Sequence, residues 1–163
     1  MIINGDKLLY AAPIKGMLSH KASNGVVTHG LSEAGYDIRI KQDILFLPNK
    51  MGVYVDNVLQ ENASFTLASA TEEFDVPTDM VGIVHDKSSW ARKGLSVFNT
   101  VIEPGWKGFL TLELVYHGNT ELYIPAGSGI AQVVFHVCSC ERQYTGRYQN
   151  QADKPVSAIQ SEE

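Results

Sequence analysis

"GFLTLELVYHG", residues 108–118, carries the pattern on which the fold reading turns. Side chains of a β-strand alternate between two faces. Written as a strand, the segment sends Leu112, Leu114 and Tyr116 one way. Glu113, Val115 and His117 go the other. One face is suited to a core and the other carries a carboxylate. Outward from it, short segments of the same character recur: "GYDIRI", "DILFLP", "GVYVDN", "SFTLASATEEFDVP", "MVGIVH", "LSVFNTVI", "ELYIPAG" and "IAQVVFHVCS". Gly, Pro, Asn and Asp separate them about every 8 to 12 residues, the spacing of a sandwich, barrel or jelly roll. Helix signals are few. Residues 5–20, "GDKLLYAAPIKGMLSH", hold room for one short helix before or around Pro13, and "SSWAR" for one helical turn. No fixed-period repeat or low-complexity segment interrupts the pattern.

The chain has 163 residues, 44% hydrophobic and 19% charged, the profile of one ordinary globular domain spanning 1–163. From about Glu141 the sequence turns polar, and this tail is expected to act as a flexible lid. The net charge of −5 argues against a broad nucleic-acid or membrane footprint. It leaves room for a small anion in a focused pocket. The N-terminus lacks the pattern of a secretory signal, and no run reaches the ~18 apolar residues of a membrane span. The expected location is the cytoplasm, with no membrane partner. Cys138 and Cys140 are too close for a relaxed disulfide and too few for a zinc site, so plain thiols are expected.

Four clusters invite chemistry, and each has two readings. Glu113 is either a charge on a wet strand face or a partly desolvated carboxylate whose pKa rises into the range of proton transfer. Glu103, in the turn "VIEPGWKG", is either a turn-flanking charge or the second member of a carboxylate pair with Glu113. In "HDKSSWARKGL", residues 85–95, Ser88, Ser89 and Arg92 fall on one side of a first helical turn. Either Ser88 caps a solvated helix, or the hydroxyls and guanidinium hold an anion. In "GRYQNQADKPVSAIQ", Arg147, Tyr148, Gln151 and Lys154 sit either on a disordered tail or on a closing lid. The chain has no H-x-E with P-C-x-x-C, so it is not a zinc deaminase. Walker and dinucleotide glycine motifs are missing too.

Four segments, "DKSSWARKGL", "IEPGWKGFLTLEL", "PAGSGIAQVVF" and "RYQNQADKP", follow one another in the order and spacing of dCTP deaminase, the deaminase branch of the trimeric dUTPase superfamily. "GYDIRI" is similar to that family's early Tyr-Asp-x-Arg segment. The resemblance covers about residues 30–157. It implies a mainly β, distorted jelly-roll or barrel subunit of the dUTPase type with one or two short helices. It further implies a homotrimer with active sites shared between neighbours. The implied reaction is zinc-independent deamination of dCTP, with Mg²⁺ carried on the triphosphate. By position, Glu113 would be the general base and acid, Ser88 would orient the attacking water, and Arg92 would hold Glu113 ionised or contact the phosphates. Lys87 and Ser89 would bind phosphates. Asn99, Glu103, Trp106, Gln132, Tyr148, Gln151 and Lys154 would complete the nucleotide site, and dTTP or dUTP would be further ligands.

Two departures from the family pattern stand out. Glu103 replaces the usual Asp of the turn, and Phe98-Asn99 replace the usual Thr-Ala beside the base, which makes a C5-modified cytosine a candidate substrate. Three other readings stand beside the deaminase. A dUTPase would carry a Gly-rich C-terminal motif, and this tail has Gly146 alone. A bifunctional enzyme would use Glu103 to place a hydrolytic water. A silent nucleotide-binding trimer sits poorly with the intact set of Ser88, Arg92 and Glu113.

Overall fold

The computed structural model describes residues 1–23, 27–98 and 100–160. In chain order the strands are β1 (Ile2–Ile3), β2 (Lys21–Ala22), β3 (His29–Leu31), β4 (Tyr36–Arg39), β5 (Ile44–Phe46), β6 (Gly52–Val55) and β7 (Val58–Glu61). They continue with β8 (Phe65–Asp75), β9 (Met80–Asp86), β10 (Leu95–Val97), β11 (Val101–Ile102), β12 (Lys107–Tyr116), β13 (Leu122–Ile124) and β14 (Gly129–Val137). Helix α1 (Gly5–Ala11) stops before Pro13 with Ala12 in the left-handed conformation. Helix α2 (Ser88–Ala91) is one turn.

Three antiparallel sheets form among the described residues. One runs β11-β9-β14-β4-β3-β2, with β1 also on β14. The second is β10-β12-β8 and the third β13-β5-β6-β7. All three contribute to one apolar core that includes Ile38, Phe46, Phe74, Leu112, Leu114 and Phe135. The fold is the distorted jelly-roll type expected, mainly β with two α-helices among the described residues. The alternation of β12 is realised: Leu112, Leu114 and Tyr116 are buried, while Glu113 and Val115 are half-buried.

One segment departs from its sequence reading. "LSVFNTVI" is not one strand. Leu95–Val97 pairs with β12, and Val101–Ile102 crosses to pair with β9 in another sheet. Cys138 and Cys140 fall just beyond β14 as free thiols, half-buried and exposed. No described helix is long and apolar enough to cross a membrane.

Ion pairs that composition does not announce reach the interior, Arg39–Glu72 among them. Glu72 is 5% exposed, and its carboxylate accepts from both the backbone N–H and the Nε of Arg39, each at 2.8 Å. Removing one partner of a buried pair strands the other and costs about 3–5 kcal/mol. Arg39 keeps partial contact with solvent, which places Glu72→Ala at the lower end. We expect it to destabilise the chain by about 3 kcal/mol in urea denaturation.

Candidate active site

Glu113 lies in a cavity of ≈ 490 Å³ formed by β8, β11, β12, the turn at 103–106 and the tail. Its Oε2 is buried and has no hydrogen-bond partner among the described residues. Burial raises the Glu113 pKa above the usual carboxylate range, offset in part by a backbone hydrogen bond. A carboxyl in this state takes up and releases a proton nearer to neutral pH than a solvated one does.

The turn that borders the cavity is defined by its sequence. Trp106 N–H donates to the Glu103 carbonyl at 3.1 Å across Pro104-Gly105. Gly105 has φ +75°, which makes the turn type II and explains the glycine. Glu103 is exposed and lines the cavity. Trp106 is 5% exposed and packs on Phe74 with ring centroids 5.9 Å apart. Its indole N–H donates to the Tyr148 carbonyl at 2.7 Å, so Trp106 serves as a wall and a tether for the tail.

The tail, expected to be a flexible lid, docks along the start of β12. Phe109 N–H donates to the Gln151 carbonyl at 3.1 Å, and Asn150 N–H to the Lys107 carbonyl at 3.0 Å. Gly108, at φ +129°, is where the tail passes closest: a Cβ there would meet Gln151 N at 2.4 Å. Thr111 Oγ1 accepts from Gln151 Nε2 at 2.9 Å and from Val156 N at 3.0 Å. Tyr148, Gln151, Val156 and Ala158 thereby close one side of the cavity. Each such bond contributes about 1 kcal/mol. Thr111→Val keeps the shape and loses both bonds, so the tail should be cleaved roughly 30-fold faster in limited proteolysis.

Lys87, Ser88, Ser89 and Arg92 lie elsewhere. None is among the described residues lining the Glu113 cavity. The N-cap of α2 is Lys87, not Ser88, and no side chain caps the helix. Trp90 anchors it through Nε1 to the Gly129 carbonyl at 2.7 Å. Ser88, Ser89 and Arg92 are exposed.

Lys87 and Gln132, expected on the nucleotide, both reach Asp37 within the chain. Lys87 Nζ is 2.5 Å from Asp37 Oδ2, with both side chains largely buried. Gln132 Nε2 donates to Ser32 Oγ at 2.8 Å and to Asp37 Oδ1 at 3.1 Å. Lys154 is exposed and does not line the cavity. Asn99 falls outside the described residues. The cavity therefore unites Glu103, Trp106, Glu113, Tyr148 and Gln151, and within one chain it does not include the α2 set. Sequence reasoning missed Thr111 and Asp37 as organising residues. Thr111 had a signal, since it lies two residues before Glu113 on the same strand face.

Solved structures share this architecture. The dUTPase of EIAV superposes with a TM-score of 0.53 at 19% identity, covering 79% of this chain and 97% of its own. The 2'-deoxycytidine 5'-triphosphate deaminase of Agrobacterium tumefaciens gives 0.59 at 16% identity, covering 83% of this chain and 47% of its own. The fold is thus that of the dUTPase and dCTP deaminase subunits. Sequence narrows the class further. The profile described as dCTP deaminase-like matches residues 18–138. A dCTP deaminase of a Wolbachia from Brugia malayi is 35% identical over 159 residues, 85% of either chain. That of Acidobacterium capsulatum is 31% identical, covering 93% of this chain and 96% of its own. The chain belongs to the dCTP deaminase-like family.

Proposed function

We propose that the protein hydrolyses the exocyclic amino group of a cytosine deoxynucleotide triphosphate, releasing ammonia and the uracil nucleotide. The observation that carries this reading is the Glu113 carboxyl in a cavity of ≈ 490 Å³, with Oε2 buried and without a hydrogen-bond partner among the described residues. Water adds at C4 of the base while Glu113 takes its proton. Glu113 passes that proton to N3, then carries the proton of the new C4 hydroxyl to the amino group, and ammonia leaves as the C4 carbonyl forms. Proton transfer by a positioned carboxylate contributes typically ~10²–10⁴ in rate. Ser88 orients the water, and Arg92 stabilises the Glu113 carboxylate or the phosphates.

Because α2 does not line the Glu113 cavity of its own chain, Ser88, Ser89 and Arg92 act in the site of a neighbouring subunit of a homotrimer. The tail from about residue 141 acts as the lid, with Tyr148 and Gln151 against the nucleotide and Lys154 near its phosphates. Mg²⁺ arrives on the triphosphate as part of the substrate. Glu103 contacts the sugar. The reaction takes place in the cytoplasm.

Arg92 and burial act on Glu113 in opposite directions, which gives a pH test. Burial disfavours the carboxylate, and a neighbouring guanidinium favours it. Activity needs the carboxylate, so kcat/KM rises with pH through the Glu113 pKa. Removing the cation raises that pKa. The acid limb of the Arg92→Ala profile should therefore lie at higher pH than that of the wild type. An unshifted limb would separate Arg92 from Glu113.

The direct test is incubation of the protein with Mg²⁺ and dCTP or dUTP, read by mass spectrometry. A gain of about one mass unit with the triphosphate intact is deamination. Loss of pyrophosphate from dUTP assigns the second, hydrolytic reading, for which Glu103 at the cavity edge would place the water. No change in either nucleotide leaves a binding protein.

A further inference from the structure

The residue beside Glu113 across the sheet is an aromatic one. β10 pairs with β12 through Leu95↔Tyr116, Ser96↔Val115 and Val97↔Leu114. The pairing continues one step further, because Phe98 N–H donates to the Glu113 carbonyl at 3.0 Å. Residues directly opposite in a ladder share a face, so Phe98 stands on the face of Glu113. On the other side of β12, Leu67 opposes Glu113 and Phe65 opposes Val115. The Phe65 and Phe98 rings lie 6.3 Å apart at 32°. They are 43% and 52% exposed, large apolar groups held in the open beside a catalytic carboxyl. Phe65 and Leu67 line the cavity itself, and Phe98 stands outside that lining, against the Phe65 ring at its edge.

Cytosine chemistry orients this wall. The ring atoms flanking C4 are N3 and C5. N3 and the neighbouring O2 need hydrogen-bond partners, and burying them against phenyl rings would leave them unsatisfied. C5 and C6 carry only C–H and suit an apolar surface. We propose that Phe65 and Phe98 form a specificity wall that receives the C5 edge of the base and makes C5-methylated cytosine triphosphate a better substrate than dCTP. The proposal rests on the deaminase reading of the same site. A methyl group at C5 would fill space between two exposed rings. One methyl-sized group in an apolar pocket discriminates by roughly 10-fold or more.

The test is a competition between 5-methyl-dCTP and dCTP, with kcat/KM for each taken from product masses. Wild type should favour the methylated nucleotide by roughly 10-fold. Phe98→Ala and Phe65→Leu should each bring the ratio toward one. The ratio is internal to each variant, so partial loss of folded protein does not move it. A wild-type ratio at or below one overturns the proposal, as does a ratio that neither substitution changes. A ratio that rises in Phe98→Ala would make the ring a gate against C5 groups and overturn it equally. Deamination of neither nucleotide is a different failure: it removes the deaminase reading, and the wall falls with it.

Discussion

Glu113→Gln is expected to bind the nucleotide as the wild type does and to deaminate it roughly 10²–10⁴-fold more slowly. The amide keeps the size of the carboxyl and cannot take a proton from water. Stability should not suffer. The Glu113 Oε2 has no hydrogen bond to lose among the described residues, and burial already disfavours its charge. Turnover and calorimetric affinity measured on the same preparation separate the two effects. A Gln variant with near-normal rate would remove Glu113 from the chemistry. Loss of binding with the rate would make its role one of holding substrate.

The second large effect concerns the assembly. Arg92→Ala alone and Glu113→Gln alone should both be nearly inactive. Chains of the two variants, unfolded together, mixed equally and refolded, should regain activity. Glu113 projects from β12 into its cavity, and α2 is not part of that cavity's lining. A site shared across an interface is whole when an intact Glu113 meets an intact Arg92 from its neighbour. Random assembly of a symmetric trimer makes about a quarter of the sites whole. If both residues served one site in one chain, every site would lack one of them. The mixture would then stay as inactive as its parents.

Much of this was legible along the chain, for physical reasons. The alternation in residues 108–118 placed Leu112, Leu114 and Tyr116 in the core and Glu113 on the other face, because one buried face imposes a period of two. The turn at Glu103-Pro104-Gly105 was legible too, since Pro and Gly restrict the backbone to few turns. What failed depends on contacts between distant segments. "LSVFNTVI" has uniform β character, yet its two ends join different sheets, a choice made by β12 and β9 rather than by local propensity. Lys87 and Gln132 look like free donors in sequence. Only the fold brings Asp37 against them. The tail reads as polar and loose. Its anchors, Thr111 and Gly108, belong to a strand far from it in sequence.

The measurement that bears most directly on the whole reading is the fate of water oxygen. The protein is incubated with dCTP and Mg²⁺ in heavy-oxygen water, and the product is fragmented in a mass spectrometer. Deamination driven by Glu113 puts the heavy oxygen on the base at C4 and none on the phosphates, and Glu113→Gln abolishes that label. Heavy oxygen on a phosphate, with the base unlabelled, would contradict it and make the cavity the site of a triphosphate hydrolase.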